Sequence, residues 1–368
     1  MKLFSCPACE QVVFFSNVVC ERCKHALGYE PDSNRMLALE PNRETGFWTA
    51  VGRGAAGEGW KYCDNYRYGV CNWLLPFESP ETLSLASRFN LVIPDLSEPA
   101  NVLLWQKMEL AKQQLFYALL RLKLPLVTRN EHPEGLGFQF LSDLDGQKVM
   151  TGHDNGLVTI ALAEADDAVR EERRHAMGEP YRTLLGHFRH EIGHWYWDLL
   201  VRDGGALDEC RAVFGDDRAD YGQALQDHYA AGPKPDWQSE YVSSYAGAHP
   251  WEDFAETWAH YLHIVDTIEV GGAYGLAIHP RLDREGVLTT DLDFRVYDDA
   301  TTIERIVEAW LALSGALNSF NRAMGHQDLY PFVLSPAVVA KLGFIHDLVH
   351  GRVGHGRQAV EEQRRLAA

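Results

Sequence analysis

Residues 181–201, Tyr181-Arg-Thr-Leu-Leu-Gly-His-Phe-Arg-His190-Glu191-Ile-Gly-His194-Trp-Tyr-Trp-Asp-Leu-Leu-Val201, decide how the rest of the chain is read. They contain the pattern H-E-x-x-H. Side chains four apart lie one above the other on a helix face, so His190 and His194 can reach a single ion. Glu191 lies beside that face, where its carboxylate can take a proton from a metal-activated water. Only two glycines interrupt the run, and Leu184, Leu185, Phe188, Ile192, Trp195 and Leu199 form an apolar stripe, so a helix is predicted. The pentapeptide alone would equally suit an amphipathic helix with two surface histidines. The rest of the sequence has to decide.

A catalytic zinc needs a third protein ligand and one open position. The metzincin pattern would put glycine at 197 and histidine at 200; this chain has Trp197 and Leu200, which excludes that class. A carboxylate on a later helix is the other choice, and His249-Pro-Trp-Glu252-Asp-Phe-Ala-Glu256-Thr-Trp-Ala-His-Tyr-Leu-His263 fits it. Pro250 suits a first helical turn, and Trp251, Phe254, Ala255, Trp258 and Leu262 make a buried stripe. Glu252 and Glu256 then share a face one turn apart. Glu252 is assigned to the metal, and Glu256 to the acceptor that orients a ligating imidazole through its other N–H. The swapped assignment and a solvated acidic face are the alternatives. His249 reads as a helix cap, His260 and His263 as surface or supporting groups.

Two further pairs, Cys6-Pro-Ala-Cys9 and Cys20-Glu-Arg-Cys23, stand ten residues apart around a segment, Val12–Val19, that reads as a short hairpin. This spacing looks like a zinc ribbon with four thiolates closing a tetrahedral structural site. A module this small cannot bury a sufficient core, and structural zinc contributes roughly 10–16 kcal/mol in comparable modules. Cys63 and Cys71 find no second C-x-x-C: Ser84 and Ser87 occupy that spacing, so both read as buried thiols. An odd total of seven cysteines in two C-x-x-C pairs plus three favours metal over disulfides.

The 368-residue length suggests two or three domains. A net charge of −18 argues against a nucleic-acid groove or an anionic membrane as the main partner. There is no run of eighteen apolar residues, and the start, Met-Lys-Leu-Phe-Ser-Cys, shows no signal peptide, so the cytoplasm is the expected location. Helices are predicted over 101–124, 165–177, 300–325 and 336–350, strands at Phe138–Leu141 and Leu157–Leu162, and a basic, frayed tail from Gly351. A strand leading into the His190 helix can hold an extended substrate along its edge.

H-E-x-x-H followed by a helix with E-x-x-x-E resembles the gluzincin metallopeptidases. Tyr245-Ala-Gly-Ala-His-Pro-Trp-Glu252-Asp-Phe-Ala-Glu256 is similar to the anthrax lethal-factor type of site. That resemblance implies that Tyr245, seven residues before Glu252, helps stabilise the oxyanion, with Tyr241 as the fallback. The whole chain resembles bacterial zinc-binding peptidases with an N-terminal zinc ribbon. The resemblance rests on the ribbon knuckles, Cys71-Asn-Trp73, Ile93-Pro-Asp-Leu96, the His190 helix, Phe214-Gly-Asp-Asp-Arg-Ala-Asp-Tyr221 and the Glu252 helix. Such relatives often carry a further C-x-x-C at the Ser84/Ser87 spacing.

The expected fold is α+β: a small zinc ribbon (1–35), an aromatic, cysteine-containing connector (36–100) and a mostly helical zincin-like domain with a small sheet (101–368). The expected activity is zinc-dependent hydrolysis of peptide bonds. One zinc would be catalytic, on His190, His194 and Glu252, with Glu191 as general base; the other would be structural, on Cys6, Cys9, Cys20 and Cys23. The substrate would be a peptide or protein, and the ribbon could dock a protein partner. An amidase acting on a small or cell-wall substrate, and a non-catalytic ribbon-based binding module, are the competing readings.

Overall fold

Each cysteine knuckle turns the chain back on itself with a backbone hydrogen bond to its first cysteine, Glu10 N–H to Cys6 O and Lys24 N–H to Cys20 O, both 2.8 Å. The computed structural model describes residues 2–52, 57–143, 148–177 and 179–354; the tail beyond 354, expected to fray, lies outside them. Glu10 and Lys24 close their turns in the left-handed region, with φ of 63° and 62°. Strands therefore pair across the knuckles rather than between them. β1 (Phe4–Ser5) is antiparallel to β2 (Val12–Val13), and Val19 bridges Ala26. The hairpin expected within Val12–Val19 is replaced by a tight turn in which Phe14 N–H donates to Asn17 Oδ1.

Next in the chain come β3 (Ala26–Glu30), β4 (Arg35–Pro41), β5 (Trp48–Val51), β6 (Gly59–Tyr62), β7 (Leu74–Pro76), β8 (Asn90–Val92) and helix α1 (Pro99–Arg121). They are followed by β9 (Gly137–Leu141), β10 (Gly152–Asp154), β11 (Leu157–Ala161), α2 (Asp167–Met177), α3 (Leu184–Tyr196), α4 (Leu207–Phe214), α5 (Tyr221–Ala231) and α6 (Pro250–Ala273). The described chain closes with β12 (Ala277–Ile278), β13 (Thr290–Asp291), α7 (Ile303–Ala323) and α8 (Pro336–Val349). The architecture is α+β. It divides into two compact units: Met1–Leu120 with Gly137–Thr151 and Thr159–Val169, and Arg121–Leu136 with Gly152–Val158 and Arg170–Ala368.

In the first unit β3 to β7 form an antiparallel meander whose inward face, Leu37, Leu39, Ala50, Trp60 and Leu74, is a buried core. A bridge from Tyr29 to Trp73 joins the two edges of the meander. Phe15 meets Tyr29, Trp73 and Tyr117 edge to face there, and Tyr29 meets Trp73 likewise, with ring centroids 4.8–6.3 Å apart, and so these rings tie ribbon, sheet and α1 together. The same unit buries Cys63 and Cys71, 1% and 4% exposed. Ser84 N–H donates to Cys63 Sγ at 3.3 Å, Cys63 Sγ meets Ser87 Oγ at 3.5 Å, and Cys71 Sγ meets Ser84 Oγ at 3.4 Å. The bond from Ser84 Oγ to Ser87 Oγ, 3.1 Å, completes the knot.

In the second unit α6 is the central element, with α3, α7 and α8 packed on it. Trp258 of α6 stacks on Tyr196 of α3 with centroids 4.7 Å apart. Thr183 Oγ1 caps α3 by accepting from Gly186 N–H, and beyond Tyr196 the helix widens into a π-helical turn over Trp197–Arg202. β10 lies beside α3 and leads into β11 through Asn155 and Gly156, both at positive φ (46° and 85°) as a tight hairpin turn requires. Among the described residues no helix is long and apolar enough to cross a membrane.

Candidate active site

One turn of α3 separates His190 from His194, and the imidazole Nε2 atoms meet at 3.2 Å. Glu252 enters from the first turn of α6, its Oε2 3.0 Å from His190 Nε2 and 3.6 Å from His194 Nε2. Ligand atoms of His190, His194 and Glu252 all lie within 4.8 Å of one another. The close approach of the two helices is what permits this. A Cβ on Gly193 would stand 3.1 Å from Ala255 Cα and 3.3 Å from the Trp258 ring, so a side chain there would push α3 and α6 apart by a few tenths of an ångström.

The donor set fits a zinc ion. His190 Nδ1 stands 2.7 Å from Glu256 Oε1, which can only accept, so Nδ1 carries a hydrogen and Nε2 is the nitrogen that an ion, displacing its proton, would bind. Ser243 Oγ–H donates to the other oxygen of Glu256 at 2.6 Å. Glu252 Oε2 is buried and turned toward the two imidazoles. Two imidazole nitrogens and one carboxylate oxygen thus crowd one point, the N2O set that zinc takes in catalytic sites.

Electrostatics agree with a cation at that point. Burial opposes the charged form of His190, yet hydrogen bonds and charge from Glu252 and Glu256 outweigh it and raise its pKa well above 6.5. Burial likewise opposes ionisation of Glu252, and the charge of His194 with hydrogen bonds from both imidazoles holds it well below 4.5. Glu256, buried but bonded to His190, falls to about 2. Glu191, 8% exposed, moves the other way: burial raises its pKa despite the neighbouring histidines.

Tyr245 sits on a short 3-10 turn, Tyr245–Ala248, just before α6, with its ring centroid 6.0 Å from that of His190. Burial, then the charge of Glu252, keeps its phenol protonated. His249 caps α6, its Nδ1 accepting from Trp251 N–H at 3.1 Å. His260 and His263 do not join the cluster. His260 is 5% exposed and 2.6 Å from the Tyr330 hydroxyl, while His263 Nδ1 pairs with Arg189, which also binds Asp266.

Three groups near this cluster escaped the sequence reading. Tyr221 OH donates to Glu252 Oε1 at 2.5 Å. Trp251 lies against His194, ring centroids 3.8 Å apart. The ring of His153, on β10, is 6.0 Å from that of His194, and burial lowers its pKa to about 3. Tyr221 and Trp251 stood inside quoted motifs, but no spacing rule pointed either of them at the His190–His194–Glu252 cluster.

The four ribbon cysteines also converge. Cys6, Cys9, Cys20 and Cys23 bring their Sγ atoms within 4.8 Å, with Cys6–Cys23 and Cys9–Cys20 each at 3.6 Å. His25 supports them, Nδ1 3.2 Å from Cys23 Sγ and Nε2 3.0 Å from Glu40.

Residues 101–348 match the model of a family described as "Putative zinc-binding metallo-peptidase", and residues 3–98 match that of a zinc-ribbon domain. The chain is similar to uncharacterized proteins of Mycobacterium bovis and Mycobacterium tuberculosis, 40% identical over 352 residues, covering 95% of this chain and 95% of each relative. No solved structure matches it.

Proposed function

We propose, from the premise that the chain belongs to this zinc-binding metallo-peptidase family, that it hydrolyses peptide bonds at the His190–His194–Glu252 cluster. His190, His194 and Glu252 would hold a catalytic zinc, and Cys6, Cys9, Cys20 and Cys23 a structural one. When bound, the catalytic ion supplies Lewis acidity, lowering the pKa of water from about 15.7 toward about 7 and polarising a carbonyl. Glu191 is the general base: its buried carboxylate takes the proton of the attacking water and returns it to the leaving amine. The upward shift caused by burial makes it a better proton acceptor than an exposed glutamate. Glu256 fixes the tautomer and orientation of His190, and Ser243 fixes Glu256. The protonated Tyr245 hydroxyl donates to the oxyanion. β10, beside α3, offers a strand edge to an extended peptide.

The observation carrying this reading is the convergence of two imidazoles and one carboxylate beside a buried glutamate on the same helix. Glu191→Gln tests it. The variant should retain its zinc and lose about 10²–10⁴ in the rate of cleaving casein-like or short peptide substrates. A wild-type rate in that variant rules out the general-base role.

A further inference from the structure

We propose that Tyr221 is a positioning residue that makes Glu252 a one-oxygen ligand. Its phenol occupies Oε1, so the carboxylate has only Oε2 to offer an ion held by His190 and His194. This rests on the assignment of those three side chains as zinc ligands. A carboxylate can bind a cation through one oxygen or both. Bound through both, it would fill two positions and crowd out the open position that a catalytic zinc keeps.

The two oxygens of Glu252 are already distinguished. Oε2 faces the imidazoles at 3.0 and 3.6 Å, while Oε1 accepts from Tyr221 OH at 2.5 Å. A hydroxyl bonded to a carboxylate at that distance is charge-assisted, among the stronger neutral-to-anion hydrogen bonds. Glu252 is 1% exposed, so water has little access to compete for Oε1.

Tyr221 is held in place by the same segment that starts α6. His249 accepts from Trp251 N–H through Nδ1, so its Nε2 carries the hydrogen and donates to Ala219 O at 3.1 Å. That clasp sets Ala219 beside the N-terminus of α6. Two residues later Tyr221 opens α5, whose first turn is fixed by Asp220 accepting from Gln223 N–H at 2.8 Å. The Tyr221 ring then stands edge-on to His249 and Trp251, with centroids 5.4 and 5.5 Å away.

The test uses the full-length protein with zinc left in the ribbon and the second ion removed by dialysis. Cobalt(II) is titrated back, and visible absorption and affinity are read for wild type, Tyr221→Phe and Glu252→Ala. Tyr221→Phe keeps the ring, and α5 buries no residue, so the fold should persist. The expected result is an intense four-coordinate spectrum for wild type. Tyr221→Phe should give a weaker, five-coordinate spectrum and an affinity about 10- to 100-fold lower. If wild type takes up cobalt, Glu252→Ala does not, and Tyr221→Phe matches wild type in both readouts, the positioning role is overturned and the ligand assignment stands. If wild type takes up no second ion, or Glu252→Ala binds it unchanged, the ligand assignment falls and this proposal with it.

Discussion

Tyr245 and Tyr221 both bring a phenol to the site, but only Tyr245 is assigned to the reacting carbonyl. Tyr245→Phe should therefore leave zinc content and melting temperature unchanged while lowering kcat by about 10²–10³, the usual effect of deleting one oxyanion donor. An unchanged kcat would shift the role to another group. The contrast with Tyr221 also shows what one residue's neighbours reveal and its sequence does not. Tyr245 stood out only through the family resemblance, as the tyrosine seven residues before Glu252. Tyr221 lies 31 positions before that glutamate, and only the clasp from His249 to Ala219 brings the two together.

For the elements, the crossing of α3 and α6 is decisive, and Gly193 sets its closeness. Gly193→Ala forces Ala255 backbone or the Trp258 ring to give way, an overpacking effect of about 1–3 kcal/mol. The roughly 1 kcal/mol by which alanine favours a helix over glycine offsets part of it. The expected outcome is a modest fall in melting temperature together with weaker zinc retention, as His194 is carried away from Glu252. A raised melting temperature with zinc retention intact would count against the tight crossing. Much of this element pair was legible from periodicity, because which side chains share a helical face depends on spacing alone. His190 with His194, and Glu252 with Glu256, are such pairs. Ser243, His153 and the packing of Trp251 against His194 were not legible, since each depends on how separate segments dock. The ribbon strands misled for a related reason: the knuckle turns at Glu10 and Lys24 dictate the pairing, and apolar runs do not reveal them. Nor did the helix predicted over 101–124 disclose the buried pair on α1, Glu109 with Lys112 at 2.8 Å.

For the whole molecule, the proposed chemistry calls for two zinc ions per chain, and Glu252→Ala should retain one. A measured content of one in wild type would remove either the ribbon site or the catalytic one. Acid should weaken the second unit through its buried histidines. His346 donates from Nε2 to Thr301 O at 3.0 Å and accepts from Tyr261 OH at 2.8 Å, and burial lowers its pKa from 6.5 to about 4. Between those values the unfolded chain takes up a proton that the folded one refuses, so stability falls as pH drops through that window. Melting temperature followed from pH 7 to pH 4 should decline, and His346→Gln should flatten the decline; an equal slope in both would clear His346. The knot of Cys63, Cys71, Ser84 and Ser87 bears on metal supply in a different way. Its thiols and hydroxyls satisfy one another. Scarcity of zinc would therefore strike the first unit unevenly, loosening the stretch from Cys6 to Cys23 while the meander beyond it stays folded on its own bonds.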